Sequence, residues 1–297
     1  MEGNPLSNNW IRSREEAGDD DFAVAIRPDG TNWKHTGLLI ADLTDGQSRS
    51  LATGDDEYVV LPLSGGGDVD IATEGLTERL TGRADVFAGA ADAAYIPRGR
   101  QVTVTAHGSV RVALCFARAK ADVPPSVVRA ADIPDELRGA GQCSRQVRNF
   151  GTPGVMEASA IIACEVLTPA ANWSSYPPHK HDTERPGVEA ELEEIYHFQV
   201  QPVSGAPDNA DAFGYCCVYG TQDRPIDVKA QVRSGDTLLV PHGWHGPAMA
   251  VPGYDMYYLN VMAGPGDGRA WLICDDPAHA WVRQTWETDP VDARLPF

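Results

Sequence analysis

Three short stretches of the chain hold side chains able to bind a metal and move protons. His179 and His181 flank Lys180, directly after Tyr176-Pro177-Pro178. On a strand, residues i and i+2 project to one face, so imidazoles with this spacing reach one cation. On a helix they would diverge by about 200°, and the two prolines argue against a helix there. Glu193 and Glu194 open a β-like run through Ile195, Tyr196, His197 and Phe198. His245 follows a Gly235-Asp236 turn, the apolar run 237–240 and a Pro241-His242-Gly243 corner. Imidazoles with a carboxylate form a mixed nitrogen and oxygen site, which suits Mn, Fe, Co, Ni or Zn better than Ca or Mg. An octahedral ion with four protein ligands keeps two positions for an α-hydroxy-carbonyl group, whose carbonyl it can polarise as a Lewis acid.

The order H-x-H, Glu, then G-x5-P-x-G and His resembles the two motifs of the cupin superfamily. That resemblance implies one divalent transition metal, its identity open, held by His179, His181, Glu194 and His245 inside a β-barrel. Two spacings depart from the common cupin form. The longer gap after His181 keeps Glu193 as a rival to Glu194. Glu194 is preferred because it directly precedes the Ile-Tyr-His-Phe run. The shorter gap after Pro-x-Gly keeps His242 as a weaker rival to His245.

The elements that would position these residues are short strands separated by Gly, Asn and Asp clusters. Strands are expected at 36–43, 57–63, 68–72, 94–96, 102–105 and 110–117. They resume at 155–167, 194–201, 213–219, 226–232, 237–240 and 254–262. No long stretch has helical periodicity, and 29 glycines and 22 prolines suit a turn-rich β protein. The expected fold is all-β: two cupin-type barrels joined by a linker with little helix. The divisions are an N-terminal arm at 1–20, a first barrel at 21–120, a linker at 121–147 and a metal-binding barrel at 148–297. One short helix is expected near Pro134. The halves read as degenerate copies. The first half's only histidines are His35 and His107, and none follows Pro97-Arg98-Gly99. The first barrel is therefore expected to hold no metal and to cover sheet edges.

The formal charge of −18 argues against nucleic-acid binding and against docking on anionic membranes. There is no signal peptide pattern and no apolar run long enough to span a bilayer. The six cysteines form no C-x2-C pair and read as free, mostly core thiols in a reducing cytoplasm. Assembly state stays open, with a homodimer as one option.

Longer strings carry a narrower resemblance. Trp173-Ser-Ser-Tyr-Pro-Pro-His-Lys-His-Asp, Leu192-Glu-Glu-Ile-Tyr, Val240-Pro-His-Gly-Trp-His, 252–265 and Pro277-Ala-His-Ala-Trp are similar to the bacterial 5-deoxy-glucuronate isomerases of myo-inositol catabolism. The resemblance spans nearly the whole chain. It implies an aldose–ketose isomerase acting on a small sugar acid through metal-assisted proton transfer. The related 4-deoxy-5-keto-uronate isomerases are the nearest rival. A metal-dependent oxygenase or decarboxylase and a non-catalytic sugar-binding cupin remain alternatives, because cupins host many activities. Candidates for the acid–base step are Tyr196, Glu193, His242 and Tyr258. Tyr196 shares Glu194's strand face; Glu193 faces the other way unless a bulge re-aims it. Lys180 should point out of the barrel. Arg148, Arg185 and Arg233 are candidates for the substrate carboxylate. Tyr257, Tyr258 and Asn260 lie on an apolar strand, where the polar Asn260 stands out.

Overall fold

The computed structural model describes residues 10–297, and strands dominate it. Two barrels lie side by side, each closed by one larger and one smaller sheet. In the first, the larger sheet runs Ser126–Val128, Ala93–Ile96, Asp56–Ser64, Val110–Arg118, Thr36–Leu43, Val24–Ile26. Its smaller sheet runs Ser48–Ala52, Gln101–His107, Asp68–Thr73, Leu76–Leu80. In the second barrel the larger sheet runs Ile11–Arg12, Thr237–Val240, Glu193–Pro202, Tyr254–Ala263, Ile162–Thr168, Arg145–Gly151, Asp135–Arg138. Opposite it run Asp227–Val232, Gly214–Tyr219, Trp244–Ala250, His179–Lys180 and Cys274–Asp275.

Strand sequence and packing explain each other. Thr36–Leu43 is almost continuously apolar because both of its faces are covered. Leu39, Ala41 and Leu43 point into the first barrel, against Val60, Val104 and Leu114. Leu38 and Ile40 point the other way, into a layer shared with Ile195, Leu259 and Val261 of the second barrel. The two larger sheets thus pack against each other, each buried aliphatic contributing about 1.5–3 kcal/mol.

Polar groups lock that layer reciprocally. Glu57 is fully buried and accepts backbone N–H groups from Ser159 at 2.6 Å, Ala160 at 2.5 Å and Ile161 at 2.7 Å, and the Tyr95 hydroxyl at 2.7 Å. Glu193 does the same in reverse, accepting from Lys34 N at 2.8 Å and His35 N at 2.7 Å. In each case the carboxylate of one barrel holds the backbone just ahead of a strand of the other barrel's larger sheet. Arg83 and Glu165 add a buried ion pair across the same layer, with the Tyr257 hydroxyl donating to Glu165 at 2.7 Å.

Several expectations are corrected. Asp135–Arg138 is an edge strand paired with Arg145–Arg148, not a helix; the preceding turn, Ala130–Asp132, is 3-10. Pro134 spares an edge strand's outer ladder as readily as it opens a helix. The expected strand at 155–167 begins only at Ile162, because Glu57 takes the N–H groups of 159–161 that a ladder would need. Ile11–Arg12, within the expected arm, adds a strand to the second barrel against Thr237 and Leu238. Residues 1–9 lie outside the described ones. Among the described residues no helix is long and apolar enough to cross a membrane, and all six cysteines are free thiols.

In the first barrel, Tyr58 stands where Glu194 stands in the second. Glu57 pairs with Ala117 as Glu193 pairs with Ala263, so the next residue inward is Tyr58 in one and Glu194 in the other. Tyr58 stacks on Phe116 at 4.9 Å, and valines fill the space around them.

Candidate metal centre

His179 pairs directly with His245 across neighbouring strands, which puts both imidazoles on one wall of the second barrel. His181 follows one residue past the strand and is fully buried. Lys180 between them turns outward, as expected. It bridges Asp182 and Glu189 at 2.6 Å each. Asp182 in turn accepts the Gly243 N–H at 2.9 Å, tying the first histidine segment to the corner that delivers His245. Gly246 has φ +95°, and a Cβ there would meet the Ser175 carbonyl oxygen at 1.8 Å. Only glycine lets the strand after His245 lie this close to the turn before His179.

The histidines' ligand atoms all lie within 4.8 Å of one another, and the three residues could hold a metal ion. Each Nδ1 faces a backbone carbonyl: Pro177 at 3.3 Å for His179, Leu192 at 3.2 Å for His181, Gly243 at 3.2 Å for His245. Those contacts favour the tautomer with the proton on Nδ1, which leaves each Nε2 lone pair for a ligand. Glu194 Oε2 reaches 3.2 Å from His181 Nε2 and 2.9 Å from His245 Nε2. Yet His245 Nε2 makes no hydrogen bond of acceptable geometry. A buried nitrogen and a carboxylate oxygen that close together, aimed past each other, fit donors around a common cation. Asn260 holds the other carboxylate oxygen, its Nδ2 donating to Glu194 Oε1 at 2.5 Å.

Charge and burial act strongly on these groups. Burial works to raise Glu194, but His245 and His181 hold its carboxyl well below the usual range. Burial, helped by the neighbouring imidazoles, pushes His179 well below the usual imidazole value. Burial opposes charging His181, yet the Glu194 carboxylate keeps it raised.

The cluster opens into a cavity of about 490 Å³, within the roughly 300–1,000 Å³ typical of small-molecule sites. His179, Glu194, Tyr196, Tyr258 and Asn260 line it. Ser175 Oγ lies 3.0 Å from the Tyr196 hydroxyl and 3.0 Å from that of Tyr258. Tyr258 also donates to Ser174 Oγ at 3.1 Å. Burial, reinforced by the Glu194 charge, pushes Tyr196 well above the usual phenol value. Burial raises Tyr258 too. Ser175 sits at φ 49°, a left-handed conformation that costs a non-glycine residue about 1–3 kcal/mol and tends to mark functional positions.

The structure separates the remaining candidates from this cavity. Glu193 projects to the opposite strand face and is held by the first barrel's backbone. It lines a second cavity with His35, and His242 lines that one as well. Arg148 is buried against the Val86 and Gly89 carbonyls. Arg185 pairs with Glu189, and Arg233 with Asp211. None of these three arginines lines the metal-centre cavity, whose guanidinium groups are Arg138, Arg145 and Arg283. Sequence reasoning misses these three, together with Ser175. Arg145 falls within the expected linker, and strand parity from Arg145 would have separated it from Arg148.

The KduI/IolB family model matches residues 10–282. A curated 5-deoxy-glucuronate isomerase from Geobacillus thermodenitrificans (strain NG80-2) is 36% identical over 279 residues, 94% of this chain and 97% of that one. Another of that name, from Bacillus subtilis (strain 168), is 35% identical over 273 residues, 91% of this chain and 96% of its own. The crystal structure of an IolB-like protein from Salmonella typhimurium LT2 superposes with a TM-score of 0.81 at 31% identity, covering 92% of this chain and 99% of that one. An oxalate decarboxylase from Lactobacillus farciminis shares the two-barrel fold, with a TM-score of 0.63 at 13% identity over 95% of this chain and 96% of its own.

Proposed function

The chain belongs to the KduI/IolB family, and we propose that it isomerises 5-deoxy-D-glucuronate to 5-dehydro-2-deoxy-D-gluconate, a step of myo-inositol breakdown. The observation that carries this reading is the 36% identity to a curated enzyme of that name over 94% of the chain. The geometry supports it: buried donors for one metal stand beside a hydroxyl relay on the wall of a cavity sized for a sugar acid. His179, His181, His245 and Glu194 are assigned as the ligands, with Mn, Fe, Co, Ni or Zn as the candidate ions. When bound, such an ion supplies a Lewis acid beside the substrate's carbonyl.

The conversion turns an aldehyde at C1 and a hydroxyl at C2 into a C1 hydroxyl and a C2 ketone. A base takes the C2 proton, a proton is delivered to C1, and the O2 proton is exchanged for one on O1, so the step balances without a redox cofactor. Of the four acid–base candidates, Tyr196 and Tyr258 line the cavity. Their raised pKa values keep both hydroxyls protonated near neutrality, so their part is to donate to the sugar oxygens. Ser175 between them can pass a proton from one to the other. Asn260 keeps Glu194 turned toward the imidazoles rather than toward the substrate.

The test is turnover of 5-deoxy-D-glucuronate in deuterated water, followed by NMR. Conversion with deuterium at C1 supports the proton-transfer reading. Conversion with no solvent deuterium there points to an internal hydride shift and refutes it. Absence of conversion by metal-loaded protein refutes the isomerase assignment.

A further inference from the structure

Arg138 and Arg145 stand directly opposite each other on neighbouring strands of the second barrel's larger sheet. Like charges in that position repel unless something between or beside them is negative. Arg283 approaches the same wall, and all three line the metal-centre cavity. Two of the three have carboxylate partners. Arg138 donates twice to Glu136, at 2.7 and 2.8 Å, and lies 4.7 Å over the Trp271 ring. Arg283 makes a two-point pair with Asp275.

Arg145 is different. It is 8% exposed, and its only hydrogen bond among those described runs from Nη1 to the Cys143 carbonyl at 3.0 Å. No ion pair involves it among the described residues. Its guanidinium lies 5.3 Å from the Trp286 ring, which supplies no acceptor oxygen. Burial, with Arg138 and Arg283 nearby, pulls it down to about 10. Trp271 Nε1, on the same wall, also lacks an acceptor. A buried cation without a counter-ion is expensive, and a fork of guanidinium donors matches a planar carboxylate.

We propose that Arg145 binds the carboxylate of the substrate and makes this a site for sugar acids rather than neutral sugars. The proposal rests on the isomerase reading for the identity of the acid. The aldehyde end of an open-chain sugar acid then meets the imidazoles and Tyr196, and its other end completes the unpaired guanidinium. Tyr258 sits on Tyr254–Ala263, which lies between the strand of Glu194 and that of Arg145 in the sheet order. Arg145 acts through binding and orientation and takes no proton.

The experiment compares metal-loaded wild type with Arg145→Gln and Arg145→Lys, using 5-deoxy-D-glucuronate and its methyl ester. Arg145→Gln should lose about 100-fold in kcat/KM on the acid, a typical loss for one member of a desolvated charge pair, carried mainly by KM. Its turnover of the ester should fall far less than its turnover of the acid. Its metal content should hold, and its Tm should stay level or rise, because an unpaired buried charge has gone. An unchanged acid-to-ester ratio would overturn the proposal. If the glutamine variant does not fold, Arg145→Lys decides: a fall on the acid alone supports the anchor, and an equal fall on both compounds overturns it. If wild type turns over neither compound, the isomerase reading fails by itself. Calorimetric binding of D-glucuronate then tests the anchor: binding lost in Arg145→Gln supports it, whereas equal binding, or none by wild type, overturns it.

Discussion

Replacing Glu57 with glutamine tests whether the two barrels are held together by polar contacts as well as by apolar packing. Glu57 Oε1 accepts Ala160 N and Ile161 N, while Oε2 accepts Ser159 N and the Tyr95 hydroxyl. Glutamine keeps the shape and one carbonyl oxygen. The Tyr95 hydroxyl can rotate to accept from the new amide, but the Ser159 N–H then faces another donor. An unsatisfied buried donor costs about 1–3 kcal/mol, and the surviving backbone bonds fall from charge-assisted to neutral strength, about 1 kcal/mol each. Relief from burying a carboxylate offsets part of this, for a net loss of about 3 kcal/mol. Unfolding entropy near 2.1 cal/mol/K per residue, taken over 297 residues, converts that loss to a fall in Tm of about 5 °C. Differential scanning calorimetry measures it, with turnover at 25 °C as the control, because Glu57 does not line the cavity. A Tm within about 1 °C of wild type would show that the backbone of 159–161 is held without this carboxylate.

His179→Ala and His181→Ala should each reduce bound metal well below one ion per chain by elemental analysis; a folded variant with full metal content would remove that residue from the ligand set. Tyr196→Phe should lower kcat by about 10²–10⁴-fold with metal content intact, and an unchanged kcat would take Tyr196 out of the proton relay. Asp182→Asn should cost about 2 kcal/mol at pH 7. Burial works to raise this carboxyl, but Lys180 and the Gly243 N–H hold it well below the usual range. Its contribution is therefore complete above the unfolded value near 4 and lost as pH falls through the lower folded value. Chemical denaturation should show the wild-type advantage shrinking in acid, and an advantage that grew there would contradict the assignment.

Much of the site is legible in the chain because its signals are local. Two histidines one residue apart need only a strand to converge, and the structure supplies one at His179–Lys180. Glu194 over Glu193 is a matter of strand parity: one faces the imidazoles, the other the first barrel. What stays hidden depends on tertiary pairing. The N–H groups of 159–161 go to a carboxylate about a hundred residues away in sequence, so an apolar run that looks like one strand begins late. Asp135–Arg138 is polar, and only its pairing with Arg145–Arg148 makes it a strand. Arginines cannot be sorted by sequence into paired and unpaired, which is why sequence reasoning points to Arg148, Arg185 and Arg233 and passes over Arg145.

The four donors at the centre come from opposed walls of one barrel. His179 and His245 belong to the smaller sheet, Glu194 to the larger, and His181 closes the gap just past its strand. An ion seated among them would act as a rivet through both walls. Chelation should then loosen the mouth as well as stop chemistry, and amide exchange around 179–182 and 243–246 should quicken while the distant apolar seam between the barrels keeps its protection.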